Sequence, residues 1–263
     1  MQQHSPDYAR RFGGVRRLYG DSGLAKLQAA HVCVIGIGGV GSWAVEALAR
    51  NAVGTLTLID LDNIAESNVN RQLHAVDGAF GLPKITAMQQ RIHAINPSCV
   101  VHTIEDFITP DNIAELLHQR ADVIVDCIDD AKAKVALAAF CKQQHLPLVM
   151  VGSAGGRLDP TLIQVADLAH VSGDRLLAKV RNQLRRDFNF PKASNTKKSA
   201  KFGMSAVFSN EPALKPVQAE GETCEADAGI TGLNCAGYGS SVCVTAPFGF
   251  AAAQLALNQL LKS

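Results

Sequence analysis

The chain has 263 residues, of which 47% are hydrophobic and 19% are charged, and its formal net charge is +1 at pH 7. These values are typical of a soluble globular protein with enough apolar material for one large α/β domain or two smaller ones. They exclude a chain that is basic or acidic throughout, so binding of a polyanion would require a local basic patch.

The seven cysteines indicate buried, reduced thiols. Cys33, Cys127 and Cys141 have mostly apolar neighbours, and reduced thiols are typical of an intracellular protein. No two cysteines form a C-x-x-C pair, which argues against a tetrahedral zinc site made of thiolates.

Neither end of the chain predicts a signal peptide or a membrane span. Residues 1–14 contain no apolar signal core. The apolar stretch 242–261 is nearly long enough to cross a bilayer, but it contains Pro247, Gly249 and several amide side chains. We therefore expect a buried C-terminal helix and a cytoplasmic protein without membrane contacts.

In chain order, the patterns predict an N-terminal arm of residues 1–30, an alternating core of residues 31–170, and residues 171–263 as a C-terminal part of the same domain. Strands are predicted at 32–35, 56–59, 100–104, 123–127, 148–151 and 162–165, and residues 207–218 are expected to be extended. Helices are predicted at 22–30, 42–50 and 174–188 and from residues 83, 111 and 131, and Ser67 is expected to cap another short helix. This alternation predicts a doubly wound, mostly parallel, Rossmann-like α/β sheet with a basic helix-loop insertion before the C-terminal helix.

A glycine motif follows the first predicted strand. Gly36, Gly38 and Gly41 have the spacing G-x-G-x-x-G and precede a helix, a pattern that allows a tight turn, a close backbone approach to a phosphate, and an anion at the helix N-terminus. Asp60 ends the second strand about 20 residues further on, where a carboxylate can bind a ribose hydroxyl. Together these features predict a nucleotide site.

Charged and amide side chains are predicted to surround this site, because the carboxyl ends of parallel strands meet at one edge of a sheet. An oxidoreductase that uses a nicotinamide cofactor has no evident need for two cations there. Nucleotidyl transfer does need cations, which neutralise charge on the α-phosphate and on departing pyrophosphate, and it needs carboxylates that hold Mg²⁺. The side chains are Asp60, Asp62, Asn68, Arg71, Gln72 and Lys84 after the second strand, and Asp126, Asp129 and Asp130 after a later one.

Several of these residues also have ordinary structural interpretations. Either Asp129 or Asp130 is expected to cap the helix that starts at residue 131, in which case the two carboxylates have different roles. His74 and His93 are interpreted as structural, and Cys235 as a small core residue.

Five ordered motifs, G-I-G-G-V-G, D-x-D, N-x-x-R-Q, G-x-P-K and D-C-x-D, resemble the ThiF/MoeB/HesA superfamily of adenylating enzymes. The resemblance implies a homodimer that binds Mg-ATP. It implies catalytic roles for Arg71, Lys84 and Asp129, with Asp129 also serving Mg²⁺, and for Arg17 contributed by the partner subunit, with Arg11 as the alternative. The implied nucleotide-binding residues are Gly36, Gly38, Gly39, Gly41, Asp60, Asp62, Asn68, Arg71, Gln72, Lys84 and Asp129.

Further motifs resemble bacterial tRNA threonylcarbamoyladenosine dehydratases over nearly the whole chain. They include R-F-G-G-x-x-R-L-Y-G near the start, G-x-A-G-G-x-x-D-P-T at 152–161, and N-C-A-G-Y-G-S from Asn234. This resemblance implies adenylation of the threonyl carboxylate of the modified adenosine, followed by ring closure within the same side chain. tRNA is then the expected partner rather than DNA, and the candidate RNA-binding residues are Lys179, Arg185, Arg186, Lys197, Lys198 and Lys201.

Two other functions remain open at this point. One is the adenylating activation of a ubiquitin-like sulfur-carrier protein, although the zinc-binding cysteine pairs typical of such activators are missing. The other is a non-catalytic nucleotide-binding partner in a cysteine-desulfurase sulfur relay, in which Cys235 or Cys224 would accept persulfide.

Overall fold

A computed structural model of the chain describes residues 7–118, 121–192, 200–214 and 238–262. Its strands are β1 (His31–Ile35), β2 (Thr55–Ile59), β3 (Val100–Ile104), β4 (Val123–Asp126), β5 (Leu148–Val151), β6 (Ile163–Asp167) and β7 (Ser205–Ser209). Its helices are α1 (Tyr8–Arg11), α2 (Gly13–Ala29), α3 (Gly41–Arg50), α4 (Lys84–Ile95), α5 (Ile113–Leu116), α6 (Ala131–Gln144), α7 (Arg175–Asp187) and α8 (Val242–Lys262).

The seven strands form one sheet in the order β3-β2-β1-β4-β5-β7-β6, and every pair is parallel except β6 with β7. The central strands are short runs of Val, Ile and Leu that are buried throughout β4 and β5, as expected for parallel strands covered on both faces. The predicted doubly wound sheet is therefore confirmed.

Helices cover both faces of the sheet and form two apolar cores. One core packs α3, α4 and α8 against the sheet through residues such as Met88 and Phe248. The other packs α6 and α7 through residues such as Leu137 and Leu184. Since α3 follows β1 and α6 follows β4, these neighbouring strands send the chain to opposite faces. A crevice opens at their carboxyl ends, which is where ligands bind in open α/β sheets.

Most predicted element boundaries lie within two residues of the observed ones, and the strands at 100–104 and 148–151 are confirmed residue for residue. The arm helix was predicted at 22–30, but α2 already begins at Gly13 and bends at Gly20, where φ is 76°. The predicted cap at Ser67 is wrong: Ala65 precedes a short 3-10 turn (Glu66–Asn68), and the Asn68 side chain accepts the Ala65 N–H at 3.1 Å. Residues 215–218 of the expected extended stretch lie outside the described residues.

The buried C-terminal helix is also observed. In α8, a Cβ atom added to Gly249 would lie 2.5 Å from the carbonyl oxygen of Val40 and 2.9 Å from the Ala44 nitrogen. Glycine therefore allows α8 to lie directly on the start of α3. Within the part of the chain that the structure describes, no helix has the length and apolar character of a transmembrane segment.

We predict that Gly249→Ala lowers the free energy of unfolding by about 1–3 kcal/mol, because the added methyl group collides with backbone atoms of α3. This loss should exceed the gain of about 1 kcal/mol that alanine brings in helix propensity. Denaturant unfolding measures the difference. Gln254→Ala, on the exposed face of α8, is the control and should change stability by less than about 0.5 kcal/mol. Equal stabilities of the two variants would contradict the close packing.

Candidate active site

The glycine loop joins β1 to α3 through contacts that leave no room for a side chain. Gly36 has φ 84°, donates its N–H to the Ile59 carbonyl at 2.9 Å, and would place a Cβ atom 3.0 Å from the Cys127 carbonyl. A Cβ atom on Gly41 would lie 1.8 Å from the Gly36 carbonyl oxygen. The loop therefore lies tightly between the carboxyl ends of β1, β2 and β4, and the tight turn predicted from the glycine spacing is observed.

Asp60 holds this loop in place. Its Oδ2 accepts the Ile37 N–H at 2.6 Å, and its Oδ1 accepts the Asp62 N–H at 2.9 Å. Burial raises the pKa of the Asp60 carboxyl, while the Lys84 ammonium and the two N–H groups act in the opposite direction. The expected contact of Asp60 with a ribose stays a prediction, and its observed partners are backbone groups of the loop.

Lys84 places a cation beside the two acids. It is the first residue of α4, its side chain is only 6% exposed, and its Nζ lies 2.6 Å from Asp62 Oδ2 and 3.8 Å from Asp60 Oδ1. A solvated lysine on an exposed first turn is therefore excluded. A buried ammonium flanked by carboxylates has its charge paired within the protein and is suited to bind a further anion.

Arg71 and Gln72 cover the glycine loop from the other side. A Cβ atom on Gly39 would meet Arg71 Cγ at 3.0 Å, and one on Gly38 would lie 3.8 Å from Gln72 Nε2. Arg71 donates to the Ser67 carbonyl at 2.8 Å and to Asn70 at 2.9 Å, and its own carbonyl accepts the indole N–H of Trp43. The N-x-x-R-Q motif is thus fixed over the loop.

Asp129 and Asp130 have different environments. Asp130 caps α6, because its Oδ2 accepts the Ala133 N–H at 2.7 Å. For Asp129, half-buried, the structure gives no hydrogen bond or salt bridge to any described residue, and its charge acts on Arg71. Burial lowers the pKa of the Arg71 guanidinium, and the Asp129 carboxylate opposes that effect. Asp129 is thus the acid of this pair that is available to a ligand.

These side chains converge on the crevice between β1 and β4, with cations and carboxylates around a backbone loop. The arrangement can bind a polyphosphate through N–H groups and two cations while a carboxylate remains nearby.

A family model agrees with this geometry. The model of the ThiF family matches residues 8–261. The chain belongs to the ThiF family. Among curated relatives, a tRNA threonylcarbamoyladenosine dehydratase of Haemophilus influenzae is 48% identical over 97% of this chain and 95% of that protein. The protein of the same name from Escherichia coli is 45% identical over 98% of this chain and 96% of its own length.

Solved structures of ThiF relatives agree with the fold. The crystal structure of the Escherichia coli tRNA N6-threonylcarbamoyladenosine dehydratase in complex with ATP has a TM-score of 0.86 and 43% identity, and the match covers 98% of this chain and 96% of that one. The same enzyme in complex with AMP gives a TM-score of 0.85, with coverage of 98% and 97%.

The ion pair between Asp126 and Lys134 was not predicted from the sequence. Asp126 was predicted to be one of the acids that line the carboxyl edge of the sheet, but its carboxylate is fully buried and lies 3.0 Å from the equally buried ammonium of Lys134. Burial raises the pKa of the Asp126 carboxyl, and Lys134 opposes this effect. A sequence signal was present, since Lys134 is a charged residue among the small and apolar residues of α6.

A second residue that sequence reasoning missed is Asp174. It caps α7 by accepting the Leu177 N–H at 2.9 Å, and its Oδ2 accepts the Ser153 N–H at 2.8 Å. Gly152 must be glycine here, because a Cβ atom would lie 2.3 Å from that Oδ2. One buried carboxylate thus joins the basic helix to the glycine-rich turn after β5.

The candidate RNA-binding residues differ in their availability. Lys179, Arg186 and Lys201 are exposed, although Arg186 pairs with its neighbour Asp187 at 2.8 Å. Arg185 donates to the carbonyls of Pro191 and Ala169 and lies over the Phe202 ring at 5.4 Å, so its guanidinium has structural partners. Lys197 and Lys198 lie outside the described residues.

The N-terminal arginines lie away from the crevice of their own chain. Arg11 donates to the carbonyls of Ala94 and Ile95 at the C-terminal end of α4, whereas Lys84 is at the other end of that helix. Arg17 is exposed on α2, and the described residues of the crevice give it no hydrogen bond or ion pair. Neither arginine therefore completes the site from within the same chain.

We predict that Lys134→Met destabilises the protein by about 3–5 kcal/mol at pH 7, because it leaves the buried Asp126 carboxylate without a cation. The unfolded aspartate has a pKa of about 3.9, and the folded value is raised above it. The native state therefore binds more protons between the two values, and stability falls as the pH rises through that window. Denaturant unfolding should show a smaller deficit near pH 4 than at pH 7.

The control is Lys132→Met, on the exposed side of the same helix, which should stay within about 0.5 kcal/mol of the wild type. Adding Asp126→Asn to Lys134→Met should restore part of the stability at pH 7. A deficit that does not depend on pH would argue against an uncompensated Asp126 charge.

Proposed function

We propose that this protein is an ATP-dependent tRNA threonylcarbamoyladenosine dehydratase. The observation that carries the proposal is the nearly full-length similarity to proteins of that name, together with a crevice in which Lys84, Arg71 and Asp129 surround a glycine loop. A nicotinamide-dependent enzyme would give no role to these two cations.

In the first step, a carboxylate oxygen of the modified adenosine attacks the α-phosphorus of ATP and pyrophosphate departs. Negative charge moves from the carboxylate to the leaving pyrophosphate during this step. The Lys84 ammonium and the Arg71 guanidinium stabilise that charge, and N–H groups at the start of α3 bind the phosphates. Asp62 and Asp60 hold Lys84 in position for this role.

In the second step, the activated acyl group is captured within the same side chain and AMP leaves. The bond from the acyl carbon to the AMP oxygen breaks as the ring bond forms, so one carboxylate oxygen departs with AMP. The net change is loss of water from the substrate, and conversion of ATP to AMP and pyrophosphate drives it. No enzyme thiol is needed as an acyl carrier in this step. Cys33 and Cys141 are buried and Cys243 is exposed, whereas Cys224 and Cys235 lie outside the described residues.

Magnesium fits this site as an ion that arrives with ATP. The described residues include no group of three or more His, Cys, Asp or Glu side chains arranged to bind a metal. Mg²⁺ is commonly held by one or two carboxylates plus substrate phosphates, and Asp129 has a carboxylate without a hydrogen-bond partner among the described residues. When bound, the ion would neutralise phosphate charge, and Asp129 would hold it.

The rest of the substrate would lie on the basic face formed by Lys179, Arg186 and Lys201, since phosphate contacts supply most of the affinity for RNA. Asp174 links this face to the turn after β5 at the edge of the crevice. We also infer a homodimer in which Arg17 of one subunit reaches the nucleotide of the other, because the crevice of its own chain lacks it.

The direct test is mass spectrometry of nucleosides from tRNA that carries threonylcarbamoyladenosine, after incubation with the protein and ATP. We expect a product that is lighter by one water, formed only with ATP and accompanied by AMP and pyrophosphate. An unchanged nucleoside, with ATP–pyrophosphate exchange stimulated by a carrier protein instead, would reject the proposal.

We predict that Asp129→Asn lowers turnover in this assay at least about 100-fold while ATP still binds, because the variant loses a carboxylate but keeps the side-chain size. Asp130→Asn is the matched control: asparagine also caps helices well, so activity should remain within about twofold. Equal losses in both variants would place the effect in the α6 terminus rather than in Asp129.

We predict that replacing Lys179, Arg186 and Lys201 by glutamine weakens tRNA binding and lowers the slope of log K against log salt by about 2, because each phosphate contact contributes about 0.7–0.9. Binding at several salt concentrations measures the slope. Replacing Arg10, Lys26 and Lys262, exposed cations near the amino end of the sheet, removes the same charge and should leave the slope unchanged. Equal slopes for the two triple variants would show that tRNA does not bind to this face.

A further inference from the structure

His74 is a buried imidazole with no hydrogen-bond partner among the described residues. It lies two residues after Gln72, its residue exposure is 5%, and neither ring nitrogen is hydrogen-bonded within the part of the chain that the structure describes. A neutral imidazole always carries one N–H donor and one acceptor nitrogen. Since buried polar groups are nearly always satisfied, such a ring requires a partner that the described residues do not supply.

A second unsatisfied group lies on the same segment. Gln72 is 6% exposed, and its Oε1 has no hydrogen-bond partner among the residues that the structure describes, although its Nε2 lies near Gly38 of the glycine loop. Asn68 on this segment behaves differently, because its Oδ1 accepts the Ala65 N–H. The unsatisfied atoms therefore belong to the two buried residues that follow Arg71 and not to the segment in general.

The charged residue that acts on His74 belongs to α4. The Lys84 ammonium of α4 acts directly on the ring, and Lys84 is itself paired with Asp62 and lies near Asp60. Burial first, and Lys84 second, lower the pKa of His74 to about 4. At neutral pH the ring is uncharged, so the group that completes it can accept a hydrogen bond from a neutral N–H.

We propose that His74 is a binding residue for the terminal phosphates of the nucleotide, donating a ring N–H to a phosphate oxygen beside Lys84. This inference rests on the proposed function, since it assumes that a polyphosphate occupies the crevice. An anion is the chemistry that the position favours, because the neighbouring ammonium and the guanidinium of Arg71 already attract one. The orphaned Gln72 carbonyl can then accept from a water on the same phosphates.

Binding of phosphates should change the pKa of His74. A bound polyphosphate brings negative charge next to the ring and favours its protonated form, so the His74 pKa must rise when the site fills. When pyrophosphate leaves the site, the pKa of His74 would fall back to its value without ligand. A histidine distant from the bound phosphates would show no such change.

The test uses the unmodified protein. The ring Cε1–H resonances of selectively labelled histidines are titrated with pH in the empty protein, with ATP and with inorganic pyrophosphate, and the His74→Asn spectrum assigns the signal. We expect the His74 pKa to rise by at least about one unit with either ligand. His93, exposed near the far end of α4, is the internal control and should not change. An unchanged His74 titration at saturating ligand overturns the inference.

Calorimetric binding of pyrophosphate gives a second readout. His74→Leu removes both nitrogens and should weaken binding at least about tenfold, while His74→Asn and His74→Gln, which retain an N–H donor, should restore much of it. Wild-type affinity in a folded His74→Leu variant would also overturn the inference. Failure of wild-type protein to bind ATP at all would instead count against the proposed function, so the two failures can be told apart.

Discussion

Gly36 and Gly41 lie in backbone contact at the end of β1. Between them in the loop, Ile37 is fixed by the Asp60 carboxylate, which accepts its N–H at 2.6 Å. This small set of contacts determines where N–H groups point in the crevice. If a side chain were added at either glycine, the loop would have to leave the strand ends, and Arg71 and Gln72 would lose the surface on which they lie. The charges of the site depend on that backbone geometry.

Charged side chains in and near the crevice form pairs of opposite sign. Lys84 lies between two carboxylates, Lys134 is paired with Asp126, and Arg71 is close to Asp129. Buried charges without partners would destabilise the fold, and this pairing allows the cations to remain charged where water is largely excluded. Under the proposed function, a triphosphate would join the carboxylates as a further partner of Lys84 and Arg71. Acidic and basic side chains therefore occur together around a site that is proposed to bind an anion.

The sequence predicted the sheet and most of the crevice, because both are encoded locally. Apolar runs, the glycine spacing and the acid after β2 have short-range physical meanings, and the strand ends brought Asp60 and Asp129 to one edge as expected. What was missed depends on contacts distant in the chain: the Asp126–Lys134 pair, the double use of Asp174, and the structural partners of Arg185. The cap at Ser67 was wrong because the short turn already begins at Glu66, so Ser67 lies inside it, and the Asn68 side chain accepts the Ala65 N–H at its start.

The carboxylate of Asp174 joins two segments. One oxygen caps the N-terminus of the basic helix α7, and the other accepts the Ser153 N–H of the turn after β5. Displacing either segment alone would break the part-buried hydrogen bond between Ser153 and Asp174. The position of α7 is therefore coupled to the position of the turn at the rim of the crevice.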